Sequence, residues 1–249
     1  MNNDALRWFE GEGAQPAELA GVLAPTGDRA VHWRRAVLAE RCAAIVAAAR
    51  AGELGHSDAR DYDDPDKRQV RVYGCAISPS DTRPGGPRPE DYHAAASDFR
   101  GRLAAITEPS FPDFFLDALR HLAGTTATVP TGPRGPYGSC TVRHLIAGTA
   151  LPPHCEHLYA GIDVYRDLRE LGVDLERQLS FFVVLEAPSE GGVLRVDASR
   201  SIPPVVGDLL VFPSGTTIHE VTPVAIGERW TIGGFAAFDP RGEPLYAWG

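Results

Sequence analysis

R-W-T-I-G-G-F-A-A-F, residues 229–238, reads as a buried strand that nevertheless carries a guanidinium and a hydroxyl near its start. Successive side chains of a strand project to opposite faces, so Arg229 and Thr231 share one face and Trp230 takes the other. Similar short apolar runs precede it: C-T-V-R-H-L-I-A at 140–147, L-S-F-F-V-V-L-E at 179–186, G-V-L-R-V at 192–196 and D-L-L-V-F at 208–212. Short strands separated by turn residues argue for an antiparallel sandwich or barrel. One segment breaks the series: G-I-D-V-Y-R-D-L-R-E-L-G, residues 161–172, reads as a helix or a long loop.

The first half of the chain has a different texture. Alanine-rich sequence predicts a helix over Ala30 to Ala51, capped by Asp28 and stopped by Gly52. Two more helices are predicted over Glu90 to Ile106 and over Pro112 to Leu122, the second with Ser110 near its cap and Gly124 at its end. Q-V-R-V-Y-G-C-A-I, residues 69–77, alternates like a strand. Residues 57–68 and 78–90, rich in Asp, Pro, Arg and Gly, read either as mobile lids or as surface loops. The change of texture comes at T-V-P-T-G-P-R-G-P-Y-G, residues 128–138. The expected organisation is therefore a helical N-terminal region, 1–130, packed on a mainly β catalytic core, 131–249, as one structural unit.

With 249 residues, 43% of them hydrophobic, the chain can bury a full core. A net charge of -9 argues against nucleic acid, whose binding needs a basic surface to displace counterions, and favours a small-molecule or protein partner. The four cysteines, Cys42, Cys75, Cys140 and Cys155, form no C-x-x-C pair and read as thiols in a reducing cytoplasm. No secretory signal pattern is visible, and no apolar run approaches the roughly 20 residues needed to span a bilayer, so a cytoplasmic location without a membrane partner is expected.

Chemistry concentrates in L-P-P-H-C-E-H, residues 151–157, and in I-H-E, residues 218–220. If the first segment is a strand, His154 and Glu156 share a face while Cys155 and His157 take the other. His219 must then come from another strand. Two imidazoles and one carboxylate on one face of an iron ion leave three coordination positions open, as in non-haem Fe(II) oxygenases, whereas a structural zinc site more often closes its fourth position with Cys or His. Arg229 follows His219 by ten residues. Facing inward it would need an anion, which a dicarboxylate supplies through bidentate hydrogen bonds; facing outward it would pair with an acid such as Glu228.

In this ordered combination the chain resembles the Fe(II)/2-oxoglutarate-dependent dioxygenases, in particular the small prolyl-hydroxylase-like group related to bacterial free amino-acid hydroxylases and halogenases. L-P-P-H-C-E resembles the strand with the first two iron ligands, and E-A-P-S-E-G-G-V-L, 186–194, resembles the family's strand, turn and G-G strand. P-P-V-V-G-D-L-L-V-F, 203–212, resembles the segment before the distal histidine, and H-E-V-T-P-V-A-I-G-E-R-W-T-I-G-G-F, 219–235, the block that holds it. The resemblance covers about 137 to 240 and leaves the first 130 residues without a family motif. It implies a double-stranded β-helix, a jelly-roll barrel with helices outside, in which His154, Glu156 and His219 hold Fe(II) and form the catalytic centre. It further implies that Arg229, helped by Thr231, binds the distal carboxylate of 2-oxoglutarate. Arg143, on the strand before the H-C-E segment with Tyr137 and Ser139 nearby, is a further candidate for a cosubstrate or substrate contact.

The implied reaction is hydroxylation of an unactivated C–H bond, with 2-oxoglutarate and O2 converted to succinate and carbon dioxide. The substrate class it suggests is a small molecule, an amino acid either free or carrier-bound. The family usually has Asp where Glu156 stands; related halogenases have Gly or Ala there, so a carboxylate favours hydroxylation over chlorination. A peptidyl, prolyl-type hydroxylase and a non-catalytic cupin-like binding protein are the competing readings. Among the neighbours, His157 reads as a surface or outer histidine, Glu220 as outward-facing, and His144 fits a cavity lining or a packed face equally well. The acidic run 61–66 reads as a contact for a cationic substrate or equally as a solvated turn, and Trp33 and Trp230 as core.

Overall fold

Strand Glu228–Phe238 spans eleven residues and is paired along both edges, which makes it the spine of the molecule. The computed structural model describes residues 6–55, 57–60, 70–74, 89–156, 161, 163–197 and 199–249. In chain order the strands are β1 (Arg7–Glu12), β2 (Arg29–Arg34), β3 (Ser57–Arg60), β4 (Val70–Tyr73), β5 (Ala127–Thr128), β6 (Thr131–Gly132), β7 (Gly135–Pro136), β8 (Thr141–Ile146) and β9 (Leu151–His154). They continue as β10 (Leu179–Glu186), β11 (Glu190–Gly191), β12 (Leu194–Val196), β13 (Arg200–Ile202), β14 (Leu209–Phe212), β15 (His219–Val221), β16 (Val224–Ile226), β17 (Glu228–Phe238) and β18 (Leu245–Trp248). The helices are α1 (Ala39–Arg50), α2 (Pro89–Ala104), α3 (Phe111–Ala123) and α4 (Arg166–Glu170).

A ten-stranded mixed sheet runs β1-β2-β14-β10-β17-β8-β4-β3, with β18 joined to the far end of β17 and β5 to β18. A second sheet of four strands runs β13-β12-β15-β9, and two short ribbons pair β11 with β16 and β6 with β7. The architecture is mainly β with helices, consistent with a jelly roll. Among the described residues no helix is long and apolar enough to cross a membrane.

Alternation along the spine strands sorts their side chains into two layers. On β10, Leu179, Phe181, Val183 and Leu185 join the core beneath α1 and α3, where Phe115 of α3 meets Phe181 at 4.8 Å between ring centroids. Each such fully buried side chain stabilises the fold by roughly 1.5–3 kcal/mol. Phe182, of opposite parity, packs instead against the cluster of Leu145, Leu194, Phe212 and Val221 on the other side of the large sheet. On β17, Trp230 and Ile232 face the helices, which leaves Arg229 and Thr231 on the side of the small sheet.

The N-terminal region holds more strands than the expected helical layout with one strand at 69–77. Residues 29–34, expected within a helix beginning at Ala30, form β2, and α1 starts only at Ala39. Val31 and Trp33 alternate into the core and lie opposite Val211 and Leu209, so pairing with β14 overrides the helix preference of the alanines further on. Asp28 does not cap this helix; its carboxylate accepts from the Arg7 guanidinium. Residues 57–60, expected in a loop, form β3 against β4. The other expectations for this half hold: β4 lies within 69–77, α2 matches 90–106, and α3 is capped by Ser110, whose Oγ accepts from the Asp113 amide, and ends at Gly124 in the left-handed conformation. Residues 61–69 and 75–88, with the acidic run and Cys75, lie outside the described residues.

Candidate metal and cosubstrate site

His154 ends β9 and His219 begins β15, and the two stand directly opposite in the antiparallel ladder. Their rings approach to 4.3 Å between centroids. In each, Nδ1 meets a backbone carbonyl two residues earlier, Pro152 at 2.6 Å and Thr217 at 3.0 Å. A proton held at Nδ1 by that carbonyl leaves Nε2 as a free lone pair, the tautomer a metal requires. Phe212 stands edge-on to His219 at 4.9 Å and fixes its plane.

Glu156 reaches the same point by another route than strand alternation. β9 stops at His154, so the inferred same-face parity of His154 and Glu156 does not apply; the carboxylate is brought in by a clamp on its backbone. Its amide donates to the Ser214 carbonyl at 2.9 Å, and its carbonyl accepts from Gln178 Nε2 at 3.2 Å. Oε1 then lies 3.5 Å from His154 Nε2 and 3.9 Å from His219 Nε2. All three donor atoms fall within 4.8 Å of one another. Donors bound at about 2.1 Å in adjacent positions are roughly 3 Å apart, so small side-chain movements suffice to close this set on one ion.

The electrostatics suit a cation. Burial, followed by the neighbouring His154, pushes the His219 pKa down to about 4. Burial also opposes a proton on His154, but the Glu156 carboxylate beside it outweighs burial and holds its pKa above the ordinary value. One carboxylate and two imidazoles, each with an atom turned to a common point, are the donor types of a site that leaves one face of the metal open.

Arg229, Thr231 and Arg143 line the same cavity as these three residues, together with Leu151, Ser180, Phe182, Leu194 and Phe212. Thr231 lies opposite Arg143 across the β17–β8 pair, which puts both on the cavity face. Arg229 is buried, its Nε has no partner, and its guanidinium lies 5.4 Å from the centre of the Phe182 ring. Burial, and then the charge of Arg143, lower its pKa to about 10. Glycine at 192 makes room for it: a Cβ there would sit 3.1 Å from Arg229 Cδ and 2.9 Å from Pro188 Cγ, at a φ of +65°.

Residues 140–237, which hold every one of these side chains, match the family model for the 2OG-Fe(II) oxygenase superfamily. This segment is a 2OG-Fe(II) oxygenase domain. Enzymes of this superfamily use Fe(II), 2-oxoglutarate and O2, and the non-catalytic cupin-like alternative gives way to an enzyme. The structure is similar to a 2OG-Fe(II) oxygenase-family oxidoreductase from Burkholderia pseudomallei, at 16% identity, 91% coverage of this chain and 95% of that one, TM-score 0.52. It is also similar to the non-haem alpha-ketoglutarate-dependent epimerase SnoN of nogalamycin biosynthesis, at 16% identity, 84% and 79% coverage, TM-score 0.51. A Pseudomonas putida prolyl-4-hydroxylase aligns at 20% identity, 82% and 89% coverage, TM-score 0.43. A comparison with curated protein sequences finds no match.

Other residues fall where their parity sends them. His144 belongs to the packed face, stacked on Trp230 at 3.8 Å with Nε2 3.3 Å from Glu228, and burial depresses its pKa. Glu220 points away from the cavity and pairs with Arg195 at 3.0 Å. Trp33 and Trp230 are core. Tyr137 and Ser139 are buried outside the cavity, Tyr137 donating to the Val164 carbonyl at 2.5 Å. His157 lies outside the described residues. Sequence reasoning missed Gln178 and Ser214, which hold Glu156, and Ser180, whose Oγ donates to Ser214 Oγ at 2.7 Å. A serine of Phe182's parity inside an apolar strand was the available signal for Ser180; no local pattern announces Gln178 or Ser214.

Proposed function

We propose that this oxygenase hydroxylates an unactivated C–H bond of a small molecule, an amino acid either free or carrier-bound. The observation that carries the reading is the convergence of three metal-donor atoms and an unpartnered buried guanidinium on one cavity. In this reading His154 Nε2, His219 Nε2 and Glu156 Oε1 hold Fe(II). Arg229 forms a bidentate pair with the distal carboxylate of 2-oxoglutarate, and Thr231 adds a hydroxyl donor beside it. Bound in that way, Fe(II) with 2-oxoglutarate and O2 supplies the oxidising chemistry, releasing succinate and carbon dioxide. The chain's own residues orient and protect: carbonyls of Pro152 and Thr217 fix the imidazole tautomers, and Phe182, Leu194 and Phe212 keep water from the cavity.

The catalytic core of this reading is 131–249, with 1–130 packed on it in one unit, and the thiols of Cys42, Cys140 and Cys155, none of them in a disulfide, fit a cytoplasmic location. Succinate formation from 2-oxoglutarate, measured with and without Fe(II) against panels of free amino acids and short peptides, is the test. Coupled turnover on amino acids that requires Fe(II) and vanishes in His219→Ala is expected. Full coupled turnover in that variant would overturn the ligand assignment, and a response confined to peptides would replace the small-molecule substrate with a peptidyl one.

A further inference from the structure

Two guanidiniums share this cavity, and in the reading above the distal carboxylate of 2-oxoglutarate pairs with only one of them. Arg143 and Arg229 lie on neighbouring strands and on one face, and in both the buried Nε has no hydrogen-bond partner. Among the described residues neither forms an ion pair. They diverge in direction: Arg229 lies against Phe182, whereas Arg143 lies over the Phe235 ring at 5.6 Å. Arg143 lines the cavity together with the three metal-donor residues and with the more deeply buried Arg229.

Charge balance inside the cavity is uneven. Glu156 is the one carboxylate among the lining residues. The two positive charges of Fe(II) are matched by the two negative charges of 2-oxoglutarate, and Glu156 offsets one arginine. A second guanidinium, half-buried and with its Nε sealed from water without a partner, remains. A buried donor left without a partner is costly unless an acceptor joins it when the site fills.

We propose that Arg143 binds a carboxylate of the substrate, so that the enzyme takes a carboxylic acid whose acid group docks in the same cavity as the metal donors and Arg229. This inference rests on the assignment of Arg229 and the metal triad given above. Anchoring the acid group at Arg143 orients the rest of the substrate relative to the open face of the metal, while the aromatic rings of Phe182 and Phe212 offer it an apolar wall. A neutral isostere would leave Arg143 unpaired and bind poorly.

Binding measurements with redox-inactive Mn(II) in place of Fe(II) separate the two levels of the argument. Calorimetry of 2-oxoglutarate into the Mn(II)-loaded full chain should give an affinity within about threefold of wild type for Arg143→Met and a loss of at least about tenfold for Arg229→Met. With 2-oxoglutarate saturating, Mn(II) should broaden the methyl proton signal of acetate far more than that of acetamide, and Arg143→Met should abolish the difference. Arg143→Gln, which keeps a donor and removes the charge, gives the same reading should the Met variant fail to fold. Loss of 2-oxoglutarate affinity in the Arg143 variants, or equal acetate broadening with and without Arg143, overturns the proposal while leaving the metal and cosubstrate assignment intact. Absence of metal-dependent 2-oxoglutarate binding in wild type overturns both.

Discussion

His154 and His219 face each other across one rung of an antiparallel ladder, yet their protons are held to different degrees. The Glu156 carboxylate sustains a proton on His154 above its ordinary pKa, while burial and then His154 itself depress His219 to about 4. A metal needs both imidazoles neutral, so it competes with a proton on His154 below that raised pKa and with a second proton only from about pH 4 downward. Metal affinity should therefore rise about tenfold per pH unit from about pH 4 up to the pKa of His154, then level. Titration with Co(II) or Mn(II) across pH 5–8 checks this; a slope of two protons in that window would show that His219 is not held neutral by its surroundings.

Arg229 contributes nothing to the stability of the empty protein that a hydrocarbon of similar volume would not. It is buried with no acidic partner among the described residues, and Arg143 repels it. Arg229→Met should leave the melting temperature of the metal-free chain unchanged or raised. In the Mn(II)-loaded wild type, 2-oxoglutarate at about a hundred times its Kd should stabilise by about 2.7 kcal/mol, or roughly 5–10 °C for a domain of this size. At the same concentration a tenfold or greater loss of affinity in the variant should cut that increment to about 1.4 kcal/mol or less, which thermal melts with and without 2-oxoglutarate measure directly.

Legibility in the sequence followed the range of the interactions. Arg229, Thr231 and Trp230 were sorted to their faces correctly because parity within one long strand is a local property. α3 was readable for the same reason, since Ser110 and Gly124 mark its ends with local capping chemistry. β2 was misread because its strand character comes from partners at Leu209 and Val211, far away in the chain. Glu156 lies beside His154 and His219 for a reason strand parity does not give, since its position depends on Ser214 and Gln178 and not on a continued strand. The second guanidinium in the cavity needed the β8–β17 register before its lack of a partner had meaning.

Gly192→Ala tests how closely Arg229 is packed. The residue sits at φ +65°, where a side chain costs about 1 kcal/mol or more, and the new methyl would press on Pro188 and on Arg229 Cδ, 3.1 Å away. The expected outcome is a chain that folds with slightly lowered stability and binds 2-oxoglutarate several-fold more weakly, with its affinity for metal alone unchanged. Calorimetry in the order metal, then 2-oxoglutarate, separates these effects. Equal weakening of both would show that the strain spreads beyond Arg229.

Glu156→Asp bears on why the longer acid occupies this position. Shortening the side chain withdraws the carboxylate by about one C–C bond, 1.5 Å, from imidazole nitrogens that Oε1 now approaches at 3.5 and 3.9 Å. The backbone cannot follow, because the Glu156 amide is held by the Ser214 carbonyl and its carbonyl by Gln178, a side chain that is itself buried. Metal affinity should fall roughly tenfold or more. Releasing the clamp with Gln178→Ala in the Asp background should recover part of that loss, since a freed backbone can carry the shorter acid inward, whereas Gln178→Ala alone should weaken the metal. Mn(II) affinities for the four proteins of this double-mutant cycle decide the point: simple additivity of the two losses would mean that Gln178 does not set the reach of the carboxylate.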